Sequence, residues 1–261
     1  MNRFVTITSS MAAAMVLSAA FGSGATAAPL VMTINHDASS LTLDGQLSGF
    51  VFLDQAAGSR TTKYTGSITV DVDNLLSPST ISILSASADA DVNGTWLPKL
   101  GGQVPSNSPT VQPPAPADYG VKAQFNGNDA AFAAGRGLVL NLSSGAEAVG
   151  GGGSFNSSET MTVSAGLFES WITPLLGGGG GSDDITGDIY PRDAATPTMS
   201  SYVVAGNTAT LTIPIRARRT DGTSFTLFTG TLVATAVVPE PATILLVGAA
   251  LVASLGIRRR K

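Results

Sequence analysis

Through the middle of the chain, apolar and polar residues alternate in short runs separated by turn-forming residues. A period of two is that of a strand with one face buried and one face wet. Leu30–Asn35 and Leu41–Asp44 are the first such runs, Gln46–Leu53 is more continuously apolar, and Gly66–Asp73 (GSITVDVD) alternates cleanly. In Thr80–Val92, Ile81 and Ile83 set one phase while Leu84, Ala86, Ala88, Ala90 and Val92 hold the other. That single slip at Leu84 predicts a β-bulge, in which one extra residue shifts the register. Asn93-Gly94 reads as the turn that follows. Tyr119–Phe125, Gly137–Leu142 and Glu159–Leu167 predict further strands. The clearest pattern comes last. Ser201–Ala205, Asn207–Ala217 and Thr223–Ala236, broken at Gly206 and Asp221-Gly222, predict an antiparallel meander.

These elements predict an all-β extracytoplasmic domain over residues 28–236. An antiparallel sheet with one wet face needs a second layer to bury the other. The expected architecture is an antiparallel β-sandwich, with an up-and-down or half-open β-barrel as the alternative. Gly101–Asp118 is rich in proline and predicts a loop. The glycine runs Gly150–Gly153 and Gly177–Gly181 read as flexible connectors. Neither is followed by the Lys-Ser or Lys-Thr that a phosphate-binding loop requires.

Both ends break from this pattern. Arg3, the apolar run Met11–Ala20 and the small residues Ala25-Thr26-Ala27 form the three parts of a secretory signal peptide over residues 1–27. Signal peptidase and the general secretion machinery are therefore expected partners. At the other end, Val238-Pro239-Glu240-Pro241 precedes the apolar run Ala242–Ile257, and Arg258, Arg259, Arg260 and Lys261 close the sequence. At about 1.5 Å per residue that run is slightly short of a hydrocarbon core of about 30 Å, a gap that snorkelling arginines can bridge. A transmembrane helix over 242–257 is expected, with its basic end in the cytoplasm.

A Pro-Glu-Pro box, a short apolar helix and a terminal basic cluster, in that order over 237–261, resemble the PEP-CTERM sorting signal of Gram-negative bacteria. The resemblance implies processing near the box by exosortase, a membrane-embedded protease, in bacteria that make exopolysaccharide. It implies tethering to the inner membrane before processing, then residence at the cell surface or in the extracellular matrix. It is silent about what the β-domain does.

Charge narrows that question. Residues 28–241 carry nine basic against eighteen acidic side chains, a formal net of −9. An acidic domain repels phosphate backbones, so nucleic acid is not an expected partner. There is no cysteine, which excludes disulfides, thiolate metal sites and a lipoprotein anchor. The single histidine, His36, has no Gly-x-Ser-x-Gly elbow to serve, so no catalytic residue is assigned. Asp89-Ala90-Asp91-Val92-Asn93-Gly94 matches the start of a calcium-loop pattern, which makes Asp89, Asp91 and Asn93 candidate Ca2+ ligands. Leu100 stands where that loop would carry its bidentate Glu, and the same spacing would equally line the wet face of a strand. Asp183, Asp184 and Asp188 form a second acidic cluster, Asp71 and Asp73 a third. Trp96, Trp171, Tyr119 and Tyr190 are candidates for stacking on sugars, or for core. The expected function is that of an exported, exosortase-processed, non-enzymatic surface or matrix protein, associated with exopolysaccharide or other matrix proteins in a biofilm. A secreted polysaccharide hydrolase and a calcium-stabilised adhesion module are the alternatives.

Overall fold

The computed structural model describes residues 28–47, 49, 51–56, 58–96, 115–156, 158–173, 178–193 and 199–238. In chain order the strands are β1 (Leu30–Ile34), β2 (Ser40–Leu47), β3 (Val51–Phe52), β4 (Gln55–Ala56), β5 (Thr61–Val72) and β6 (Thr80–Ala90). There follow β7 (Thr95–Trp96), β8 (Ala115–Pro116), β9 (Tyr119–Phe125), β10 (Asn128–Ser143), β11 (Glu147–Ala148) and β12 (Ser154–Asn156). The last are β13 (Thr160–Ile172), β14 (Gly179–Asp184), β15 (Ile189–Tyr190), β16 (Met199–Ala205), β17 (Thr208–Asp221) and β18 (Ser224–Val237). No α-helix occurs among the described residues, and none of their helical turns is long and apolar enough to cross a membrane.

All but β7 and β8 belong to one antiparallel sheet, whose main path runs β12-β16-β17-β18-β1-β5-β6-β10-β13-β14. β1 and β2 act as two halves of one stave between β18 and β5, interrupted by a 3₁₀ turn at His36–Ala38. Asn35 caps that turn by accepting the Asp37 and Ala38 N–H groups on its side chain. The sheet then closes on itself through residues 185–193. Val163 N–H donates to Asp188 and Ile189 pairs with Thr162, on the β13 side. Arg218 N–H donates to Pro191, and Asp193 N–H to Arg216, on the β17 side. The expected two-layer sandwich is thus replaced by the alternative, one sheet rolled into a barrel. The residues that close it form only a short stitch, too brief to leave a periodic signal.

The inward phase fills the barrel. Met32, Leu41, Tyr64, Ile68, Ile81, Leu140, Val163, Leu211, Ile213 and Leu232 are all buried in one apolar cluster. Tyr119 and Tyr190 pack edge-on against Phe228, with ring centroids 5.9 and 5.3 Å away. The predicted bulge is present: Thr69 pairs with Ser85 and Val70 with Ile83, so Leu84 is the extra residue. Leu84 itself is exposed, and Ala86 and Ala88 resume the buried phase.

Several boundaries move. Gln46–Leu53 is not one strand but the hairpin of β2 and β3. β10 begins at Asn128, nine residues before the expected start, because its alanine-rich first half alternates too weakly to read. Neither glycine run is wholly a connector: Gly151–Gly153 form a 3₁₀ turn, and Gly179–Gly181 pair with β13 as the start of β14. Residues 101–114 of the proline-rich stretch, the signal peptide and the expected transmembrane helix lie outside the described residues.

Candidate functional site

Toward one end of the barrel the inward phase changes chemistry. On β17, Ala209, Leu211, Ile213, Ile215 and Ala217 are buried, and the same phase then continues with Arg219 and Asp221. On β18, Ser224 and Thr226 precede the buried Phe228. On β13, Phe168 and Ser170 lie opposite Asp183 and Gly181 of β14. With Leu47 and Phe225, these residues line a cleft of about 450 Å³ at the barrel mouth. Polar residues at interior positions of a small barrel indicate space that water or a ligand occupies.

The mouth is open because the seam stops short. Residues 191–193 occupy the edge of β17 from Arg216 to Arg218. Beyond Arg218 no strand among the described residues bridges β17 to β14, which continues along β13. Charge there is unevenly compensated. Arg219 donates to Asp188, whose carboxyl is raised above its ordinary value, first by burial and further by Asp183 and Asp184. Arg216 pairs with Asp193 at 3.1 Å. The Arg218 guanidinium lies 4.1 Å from the centre of the Phe225 ring and pins it. Asp183 and Asp221 are exposed and make no ion pair among the described residues.

Asp89, Asp91 and Asn93 each have separate surroundings. Asp89 sits exposed on β6. Asp91 meets His36 Nε2 at 2.5 Å, and this contact is the main cause that raises the His36 pKa. Asn93 donates its side-chain amide to Thr61 O at 2.8 Å. Among the described residues no group of three or more His, Asp or Glu side chains is placed to hold a metal ion. His36 lies in a surface turn, as a lone histidine would suggest. Trp171, Tyr119 and Tyr190 are core residues, not an exposed sugar platform. Asp183 was visible in the sequence as part of an acidic cluster. Arg219, Asp221, Ser224 and Thr226 were not singled out, although the unbroken alternation of the meander carries them in the buried phase.

At the opposite end of β18 the chain leaves the barrel. Val238 is buried, and its N–H donates to Asn207 O at 2.7 Å. A family model of the PEP-CTERM protein-sorting motif matches residues 237–261. The chain carries a PEP-CTERM sorting motif. Pro239, Glu240 and Pro241, the run 242–257, and Arg258, Arg259, Arg260 and Lys261 lie within that match and outside the described residues. The motif implies export, membrane anchoring before cleavage, and exosortase as the processing partner. No curated protein and no solved structure matches the chain.

Proposed function

We propose that this PEP-CTERM protein is a non-enzymatic component of the cell surface or extracellular matrix, released by exosortase and retained there by exopolysaccharide. The observation that carries this reading is the position of the sorting motif. It begins where β18 ends, with Val238 still hydrogen-bonded into the barrel, so cleavage near Pro239–Pro241 would release the whole β-domain intact. The state of the carboxyl groups supports the non-enzymatic part. Two carboxyls with raised pKa are structurally committed: Asp118 accepts the Leu138 N–H in the barrel wall, and Asp188 holds Arg219.

Deleting exosortase from the producing bacterium tests the reading. The protein should then stay in the membrane fraction, whereas the parent strain should carry it in the matrix or on the surface. An identical distribution in the two strains would overturn the reading.

A further inference from the structure

The mouth is an open cleft with a mixed polar and apolar lining. We propose that it binds an uncharged, hydroxyl-rich saccharide segment and discriminates against polyanionic ones. This deepens the matrix reading and rests on it for the setting in which the ligand is met.

The cleft of about 450 Å³ is of a size typical for small-molecule sites, which run from about 300 to 1,000 Å³. Leu47, Phe168 and Phe225 supply an apolar surface for the C–H face of a sugar ring, and Arg218 holds Phe225 in place. Asp183 and Asp221 face the space from β14 and β17, across the unstitched seam. Ionised carboxylates accept from hydroxyl donors in charge-assisted hydrogen bonds, the stronger kind. The hydroxyls of Ser170 and Ser182 offer both donors and acceptors, while that of Thr226 is bonded to Tyr190.

The same groups set the charge preference. Arg219 is the cation in the lining, and it is already engaged by Asp188. Asp183 and Asp221 together outweigh the Arg218 guanidinium over Phe225 and leave the mouth net negative, so a uronate or phosphate chain would meet repulsion there. The cleft also lies at the end of the barrel away from Val238. Ser224 begins β18 at the mouth and Val237 ends it, 14 residues along. The mouth and the start of the sorting motif thus lie at opposite ends of β18.

The test is isothermal titration of the mature protein, purified from its producing cells, at fixed ionic strength. The probes are short neutral gluco- and manno-oligosaccharides, an oligouronate of equal length, and an oligolysine peptide. A neutral oligosaccharide should bind, with the oligouronate at least about tenfold weaker. In D183N/D221N, checked for unchanged thermal unfolding, affinity for the neutral sugar should fall about tenfold, as expected for losing charge-assisted hydrogen bonds. The gap to the oligouronate should narrow in the same variant. Absence of heat with every neutral probe, equal binding of the oligouronate, or preference for oligolysine would each overturn the proposal. The mass of the same sample separates the two readings. A chain still ending at Lys261 would count against exosortase release, whereas a processed chain that binds no neutral sugar would sink only the saccharide proposal.

Discussion

Tyr64 and Tyr119 share one buried hydrogen-bond chain: their hydroxyls lie 2.8 Å apart, and that of Tyr119 donates to Leu41 O at 3.1 Å. Neither ring is exposed. Burial pushes both phenols above their ordinary pKa, so they stay neutral donors. The chain is asymmetric. Tyr64→Phe leaves Tyr119 its bond to Leu41, whereas Tyr119→Phe removes that bond and strands the Tyr64 hydroxyl. Chemical denaturation should find Tyr119→Phe costing about 2–3 kcal/mol and Tyr64→Phe about 1; the reverse ranking would contradict this bonding scheme. Asp118 supplies a pH-dependent counterpart. Burial pushes its carboxyl up to about 6, against the pull of the Leu138 N–H and Arg136. Because the folded pKa is raised, the native state binds more protons between the ordinary 3.8 and about 6, and this group's contribution to stability falls as pH rises through that window. Asp118→Asn removes the titration and keeps an acceptor for Leu138. Across the window the variant should gain on the parent by on the order of 2 kcal/mol. Parallel stability curves would show that Asp118 does not titrate there.

Among the elements, two strand crossings depend on glycine. Gly66 of β5 has φ +116°, and a Cβ there would lie 1.9 Å from Ser87 O of β6. Gly230 of β18 has φ +153°, with a Cβ position 2.1 Å from Ser40 O of β2. At both sites neighbouring backbone occupies the space of a side chain, on staves that carry the barrel wall. Gly66→Ala should lower stability by about 3 kcal/mol, while Gly145→Ala, with nothing within 4 Å, should change it by less than about 0.5. Equal unfolding midpoints for the two variants would refute the close approach. The strand pattern was legible because long staves such as β5, β6, β17 and β18 alternate, and even the Leu84 bulge showed as a slip of phase. Barrel closure was not legible, since a few backbone bonds at 187–193 effect it. β14 was hidden because glycines can pair as a strand without any side-chain pattern. The mouth was half legible: Arg219, Asp221, Ser224 and Thr226 stand in the inward phase, but only the rolled sheet brings them opposite Asp183.

As a whole molecule, the barrel has Leu30 and Val237, the outer ends of its first and last strands, at one end and its open cleft at the other. β1 runs antiparallel to β18, with Thr33 paired to Thr235, so Leu30 and Val237 share a rim. The expected signal-peptide cleavage after Ala27 and the PEP box therefore both adjoin that rim. β18 spans roughly 45 Å at about 3.3 Å per residue, which separates that rim from Ser224 and Asp221 at the mouth. Only Pro239-Glu240-Pro241 stands between the buried Val238 and the apolar run 242–257. Cleavage near the box would leave every strand of the barrel in place.

The most direct test of export followed by exosortase release is the intact mass of the protein from its native host, with both terminal peptides mapped. The account predicts a chain that begins near Ala28 and ends near Pro239–Pro241. A mature chain that still carries Arg258–Lys261 would contradict it and leave a membrane-anchored barrel in its place.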